Sequence, residues 1–122
     1  MIVLDEQLLG RDIEVELSRW YRGSVCFVTD LRPNTIIKDE AIPHLLRKQR
    51  QPTFVTINES DFWRRIRADR KYCIICFALS DSRANQIPEK LKTLLRKPEF
   101  RSKAKRMGKV IRFTEQSIRF YV

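Results

Sequence analysis

Glycine is scarce in this chain, with only three in 122 residues. Gly10, Gly23 and Gly108 stand apart from one another, which excludes a glycine-rich loop that cradles phosphate against backbone N–H groups. Histidine occurs once, at position 44, so no Ser/His/Asp arrangement can be built with conviction. His44 lies four residues after Glu40 on one face of an expected helix; an ordinary exposed helix residue is a better reading of it than a base or ligand. Cysteine is present three times, at 26, 73 and 76, an odd count inside apolar strand-like runs. Buried reduced thiols are expected. Cys73 and Cys76 have CxxC spacing, but residues three apart in a strand point to opposite faces, and no second ligand pair exists. No apolar run is long enough to span a membrane and no signal-peptide pattern is visible, so a soluble, cytoplasmic protein without a membrane partner is expected. Hydrophobic residues make up 43% of the chain, enough for one folded domain over 1–122 with a core of its own.

What the chain does have is positive charge, formally +10, and it is unevenly spread. Residues 1–60 hold 8 Lys/Arg and 9 Asp/Glu, whereas residues 61–122 hold 17 and 6. A field that lopsided favours a polyanionic partner, with nucleic acid first and an acidic membrane surface second. Arg64, Arg65, Arg67, Arg70 and Lys71 crowd between Trp63 and Tyr72. A single RNA strand could lay phosphates on these residues and stack a base on Trp63; the alternative is a core tryptophan beside solvated arginines. A second basic stretch runs from Arg96 to Lys109 and includes Lys105 and Arg106. It reads as an electrostatic footprint or as a solvated helix face.

Strand and helix signals alternate along the chain, which gives an α/β class with a mainly parallel sheet. Strands are expected at 1–4, 25–28, from Thr53, and at 72–79, with a strand pair at 110–113 and 117–121. The apolar spacing of Leu8, Leu9, Ile13, Leu17 and Trp20 predicts one helix over 7–21. A loop is expected at 29–34, where Arg32-Pro33 bars helix, and another at 80–85. Further helices are expected at 39–49 and 87–95, each with a proline in its first turn. Residues 62–70 read as a short helix or turn, and Gly108 as the end of a basic helix.

Three separate segments place carboxylates where a strand ends or a helix begins: Asp5 with Glu6, Asp39 with Glu40, and Asp61 with Glu59. Each aspartate alone could cap a helix or seat a turn. Brought together they would repel one another unless a cation intervened. Hard divalent ions such as Mg²⁺ or Mn²⁺ take such oxygen ligands and use them in phosphodiester hydrolysis.

The blocks Leu4-Asp5-Glu6, Asp39-Glu40-Ala41-Ile42 and Val55-Thr56-Ile57-Asn58-Glu59-Ser60-Asp61-Phe62 resemble, in order and separation, the signature blocks of the PIN-like domain nucleases. The nearest branch is a small bacterial and cyanobacterial subgroup resembling VapC-type toxins. The resemblance covers about residues 1–80 well, and the tail through Arg106-Met-Gly-Lys-Val-Ile-Arg112 is similar to the same subgroup. It implies a three-layer α/β/α PIN-like fold, with a basic C-terminal helix and strand pair closing the chain. It also implies Mg²⁺- or Mn²⁺-dependent RNA cleavage, with Asp5, Asp39 and Asp61 on the metal and Thr56 supporting the site. A small antitoxin protein is the implied partner, and a homodimer is a further expectation. The sequence departs from the family in one block, where Asn58 replaces an earlier aspartate and the block is one residue longer. Asparagine is the poorer ligand, and Glu59 could reach in from the extra residue, with Glu6 and Glu40 as further candidates. A catalytically weak or inactive domain that binds RNA or protein is therefore the competing reading. A phosphoreceiver domain is excluded, because the central strand ends Thr56-Ile57-Asn58 and the chain is basic.

Overall fold

Short apolar strands separated by amphipathic segments assemble into a single sheet, seen in a computed structural model that describes residues 1–122. The strands are β1 (Ile2–Leu4), β2 (Val25–Phe27), β3 (Thr53–Thr56), β4 (Cys73–Phe77), β5 (Val110–Phe113) and β6 (Ile118–Tyr121). Their order is β2-β1-β3-β4-β5-β6. All neighbours are parallel except β5 and β6, which form the expected antiparallel pair.

Parallel strands need covering on both faces, and the helices α1 (Ile13–Ser18), α2 (Val28–Leu31), α3 (Ile42–Arg47), α4 (Glu59–Phe62), α5 (Ile87–Leu95) and α6 (Lys103–Arg106) connect them. On one face Ile2, Leu4, Val55, Ile75 and Ile111 pack with Ile13 and Leu17 of α1 and with Ile87, Leu91 and Leu94 of α5. On the other, Val3, Phe54, Ile74 and Val110 meet Ile42, Leu45 and Leu46 of α3 and Phe62 of α4. Each fully buried aliphatic side chain contributes roughly 1.5–3 kcal/mol. The two cores make three layers, helix–sheet–helix. Cys73 and Cys76 fall on opposite faces as the strand period requires. Both thiols are free, and burial pushes each up to about 12. Cys26, on the edge strand, is only half-buried.

Several expected elements are shorter than the apolar pattern suggests. The helix over 7–21 is broken: a 3₁₀ turn at Glu6–Leu8 precedes α1, and Gly10 (φ +75°) and Asp12 (φ +59°) lie between in left-handed backbone. That leaves Leu9 half exposed instead of inward. The loop over 29–34 begins as α2, where Asp30 accepts the Phe27 N–H at 2.9 Å. The loop over 80–85 is a 3₁₀ helix, Asp81–Gln86.

The basic stretch after α5 is helical only over α6, because Pro98 bars continuation. Ser102 caps α6, its Oγ accepting the Lys105 N–H at 3.1 Å. Arg106 turns inward and is 2% exposed. Its Nε donates to Thr53 Oγ1 at 3.2 Å, and its Nη1 donates to the carbonyls of Phe100 (2.9 Å) and Arg101 (3.1 Å). Burial pulls its proton affinity down, yet a guanidinium remains charged. Thr53 opens β3, so Arg106 clamps the C-terminal segment onto the amino end of the sheet. Arg106→Ala would strand two carbonyls and a hydroxyl, and is expected to cost about 3 kcal/mol in urea denaturation. Arg106→Lys should restore only part of this, since an ammonium lacks the planar fork. A loss below about 1 kcal/mol for the alanine variant would contradict the clamp.

Candidate active site

β1 pairs with both β2 and β3. The chain therefore leaves β1 in one direction to form β2 and then crosses back over it to form β3. In open α/β sheets the crevice at such a reversal, beyond the carboxyl ends of the strands, is where ligands bind. Asp5 follows β1 directly, and Thr56 ends β3.

Leu4 is in register with Val55, which brings the next residues, Asp5 and Thr56, side by side. The Asp5 N–H donates to the Val55 carbonyl at 3.0 Å. Asp5 is 4% exposed, and a buried carboxylate must find donors inside the protein. Thr56 Oγ1 donates to Asp5 Oδ2 at 2.7 Å and itself accepts the Asn58 N–H at 2.9 Å. Burial raises the proton affinity of Asp5; the Thr56 hydroxyl and the Glu6 N–H oppose that shift, while the charges of Glu6 and Asp61 add to it. Asp5 sits at the start of the Glu6–Leu8 turn without capping it.

Asp39 arrives on the crossing connection, at the first residue of a 3₁₀ turn (Asp39–Ala41) that leads into α3. Asp61 is presented by α4. Burial, a hydrogen bond with the Asp61 carboxyl, and the charges of Asp5, Asp61 and Glu40 together push Asp39 up to about 6. The structure thus brings Asp5, Asp39 and Asp61 within electrostatic reach of one another. Glu6 and Glu40 are exposed neighbours that deepen the negative potential.

Asn58 and Glu59 are otherwise engaged. Asn58 Nδ2 donates to Asp61 Oδ2 at 2.7 Å, and Asn58 Oδ1 accepts from Ser60 Oγ at 3.1 Å. Glu59, expected to reach the metal position, instead receives Arg112, whose Nε and Nη2 lie 2.7 and 3.4 Å from its two oxygens. Arg112 belongs to β5, where it is in register with Cys76. This pair moors α4, and with it Asp61, across β4 to β5. Composition does not reveal it, although an arginine two residues after the buried Val110 points to the same face and requires a partner there.

The basic candidates divide. Arg64, Arg65, Arg67, Arg70 and Lys71 are exposed on the segment that follows Asp61. Trp63 is half-buried, packed against Tyr121 with ring centroids 5.2 Å apart, and the Arg64 guanidinium lies 5.6 Å from its ring centre. Lys105 is exposed, but it rides on α6 at the amino end of the sheet, away from the carboxylates. Arg106 is the correction: its guanidinium is spent on buried acceptors and no phosphate can reach it. His44 is exposed on α3, as expected.

No three carboxylate, imidazole or thiol side chains stand in the arrangement of a ready-made ion site. The donor chemistry nevertheless suits a hard cation, because Mg²⁺ keeps several waters and needs only one or two protein carboxylates beside substrate phosphate. The charges of Asp5, Asp61 and Glu40, which add to the effect of burial in raising the proton affinity of Asp39, are what such an ion would offset. In comparisons with known proteins, no family model, no curated protein and no solved structure matches the chain.

Asp39 fixes a pH dependence. Its folded-state pKa of about 6 exceeds the ordinary 3.8, so folding favours the protonated form. The stability it contributes is present below about pH 4 and is lost as pH rises through about 6. Asp39→Asn should therefore gain about 1 kcal/mol on wild type at pH 8 in EDTA, after allowance for solvent screening, and nothing at pH 4. Denaturant midpoints at the two pH values measure this; a difference independent of pH would contradict it.

Proposed function

We propose that this protein is a divalent-metal-dependent endoribonuclease of the PIN-like kind, hydrolysing phosphodiester bonds in RNA as the toxin of a type II toxin–antitoxin pair. The observation that carries this reading is the buried Asp5, fixed by Thr56 at the reversal of strand order and facing the Asp39–Asp61 pair. The three aspartates that resemble the family's ligands influence one another electrostatically there, which supports the reading. An Mg²⁺ or Mn²⁺ ion bound to them would supply Lewis acidity and an activated water.

The chain's own residues have separable tasks in this reading. Asp5, Asp39 and Asp61 hold the ion. Thr56 fixes one oxygen of Asp5, a supporting role whose loss elsewhere costs about 10–100-fold in metal affinity or activity. Asn58 restrains Asp61, and the Arg112–Glu59 pair keeps α4 in place. The exposed arginines after Asp61 attract the RNA backbone. A small antitoxin and a second copy of the chain are the protein partners that this reading brings with it.

A second reading, a weak or inactive domain that binds RNA or protein, has its own observation. Asn58 stands where a carboxylate would add charge, and Glu59 is committed to Arg112. Cleavage of labelled single-stranded RNA in Mn²⁺ or in EDTA separates the two. Activity that needs the metal, vanishes in Asp5→Asn and falls about 10–100-fold in Thr56→Val is the expected result. A folded, partner-free wild type that binds RNA and never cuts it would leave the second reading standing.

Asn58→Asp gives an independent check. Without divalent ions it loses the hydrogen bond to Asp61 and sets two carboxylates together, for an expected cost of about 1–2 kcal/mol. With Mn²⁺ the sign should reverse, the variant gaining more in melting temperature than wild type does. Equal responses of the two proteins to Mn²⁺ would argue against an ion at this place.

A further inference from the structure

The chain between α4 and β4 makes an abrupt turn that the carboxylates do not require. Arg64 has left-handed backbone (φ +62°), a conformation that disfavours any residue with a Cβ. The N–H groups of Arg65 and Ile66 both donate to the Phe62 carbonyl at 3.2 Å. Two phenols hold the next carbonyls: Tyr121, at the end of β6, donates to Ile66, and Tyr72 donates to Arg67 at 2.5 Å. Main-chain oxygens that would repel an anion are thereby drawn inward, while the side chains of Arg64, Arg65 and Arg67 are exposed.

None of these three arginines is among the five ion pairs of the protein, which use Arg11, Arg19, Arg47, Arg83 and Arg112. Arg64, Arg65, Arg67, Ile66 and Tyr121 line a cavity of about 500 Å³. Solvated surface arginines need neither a left-handed residue nor tyrosine ties to their backbone. A cavity with guanidinium groups around Ile66 and a phenol ring offers charge for a phosphate and an apolar wall for a base next to it. A duplex keeps its bases stacked inside and cannot use such a wall; a single strand can turn one out.

We propose that the cavity between the Arg64–Arg67 turn and Tyr121 is a binding site for one nucleotide of a single-stranded RNA, with Arg65 and Arg67 on its phosphate and Tyr121 as the positioning residue that shapes the turn. The site begins three residues along the chain from Asp61 and is closed by Tyr121, which pairs with Val110 at the start of β5. This rests on the reading of the protein as one that acts on RNA, and it does not require that the RNA be cut.

The test is fluorescence anisotropy of a short labelled single-stranded RNA, in EDTA and on an Asp5→Asn background, across a salt series. Without turnover, a failure of the nuclease reading cannot mimic a failure here. Arg65→Gln and Arg67→Gln should each weaken binding about 3–10-fold and flatten the plot of log Kd against log salt by about 0.7. Tyr121→Phe should weaken binding without changing that slope, because it disorders the turn and removes no charge; a melting curve is the check that it remains folded. Arg96→Gln, on the other basic stretch, should bind within about twofold of the parent. The proposal is overturned if Arg65→Gln and Arg67→Gln bind no more weakly than Arg96→Gln, which would make the basic surface a diffuse attractor. It is equally overturned if a duplex binds as tightly as the single strand, or if inorganic phosphate competes as well as unlabelled RNA at equal phosphate concentration.

Discussion

The site hangs on one contact, the hydrogen bond from Thr56 to Asp5. A carboxylate at the end of a fully buried strand is deprived of water, and its protein environment must replace what water supplied. That replacement comes from the neighbouring strand and depends on register: Leu4 opposite Val55 puts Thr56 beside Asp5. A slip of one residue would turn the Thr56 hydroxyl to the wrong face and strand the charge. Sheet pairing and site chemistry are therefore one constraint. The positions of Asp39 and Asp61 acquire their meaning from it, since both are measured against a carboxylate that cannot move.

Strand order also converts a feature of the sequence into one of space. The first three strands occupy one half of the sheet and the last three the other. The contrast between a nearly neutral first half of the chain and a strongly basic second half becomes a field directed across the sheet. Asp5 and Thr56 lie on the less basic side, while Asp61 on α4 is followed in the chain by the exposed arginines. The amino end of the sheet is closed by Arg106 and its buried acceptors. Asp5 and Thr56 lie at the carboxyl end, so the buried guanidinium and the buried carboxylate sit at opposite ends of the sheet.

How much of this was legible follows from the physics of each element. β1, β3 and β4 were readable because strands covered on both faces are continuous apolar runs with polar ends. The carboxylates were readable because three segments end or begin in acid. The single helix expected over 7–21 does not form, because apolar spacing carries across Gly10 and Asp12, whereas left-handed backbone there does not propagate a helix. Lys105 and Arg106 looked equivalent in sequence; one is exposed and the other buried, a difference set by contacts with Thr53, fifty-three residues away. For the Glu59–Arg112 tie the strand period shows that Arg112 needs a partner on that face, but only the pairing of β4 with β5 shows that the partner is Glu59.

Tyr121 ends β6, the last strand of the sheet in chain order, yet its hydroxyl holds the carbonyl of Ile66, fifty-five residues earlier. Synthesis runs from the amino end, so the carboxylates of Asp5, Asp39 and Asp61 are all made before the residue that shapes the arginine turn exists. A nascent chain can possess its acidic groups while its cationic surface is still without form. Whatever affinity the finished protein has for a polyanion through that turn is withheld from the chain until β6 has left the ribosome and closed the edge of the sheet.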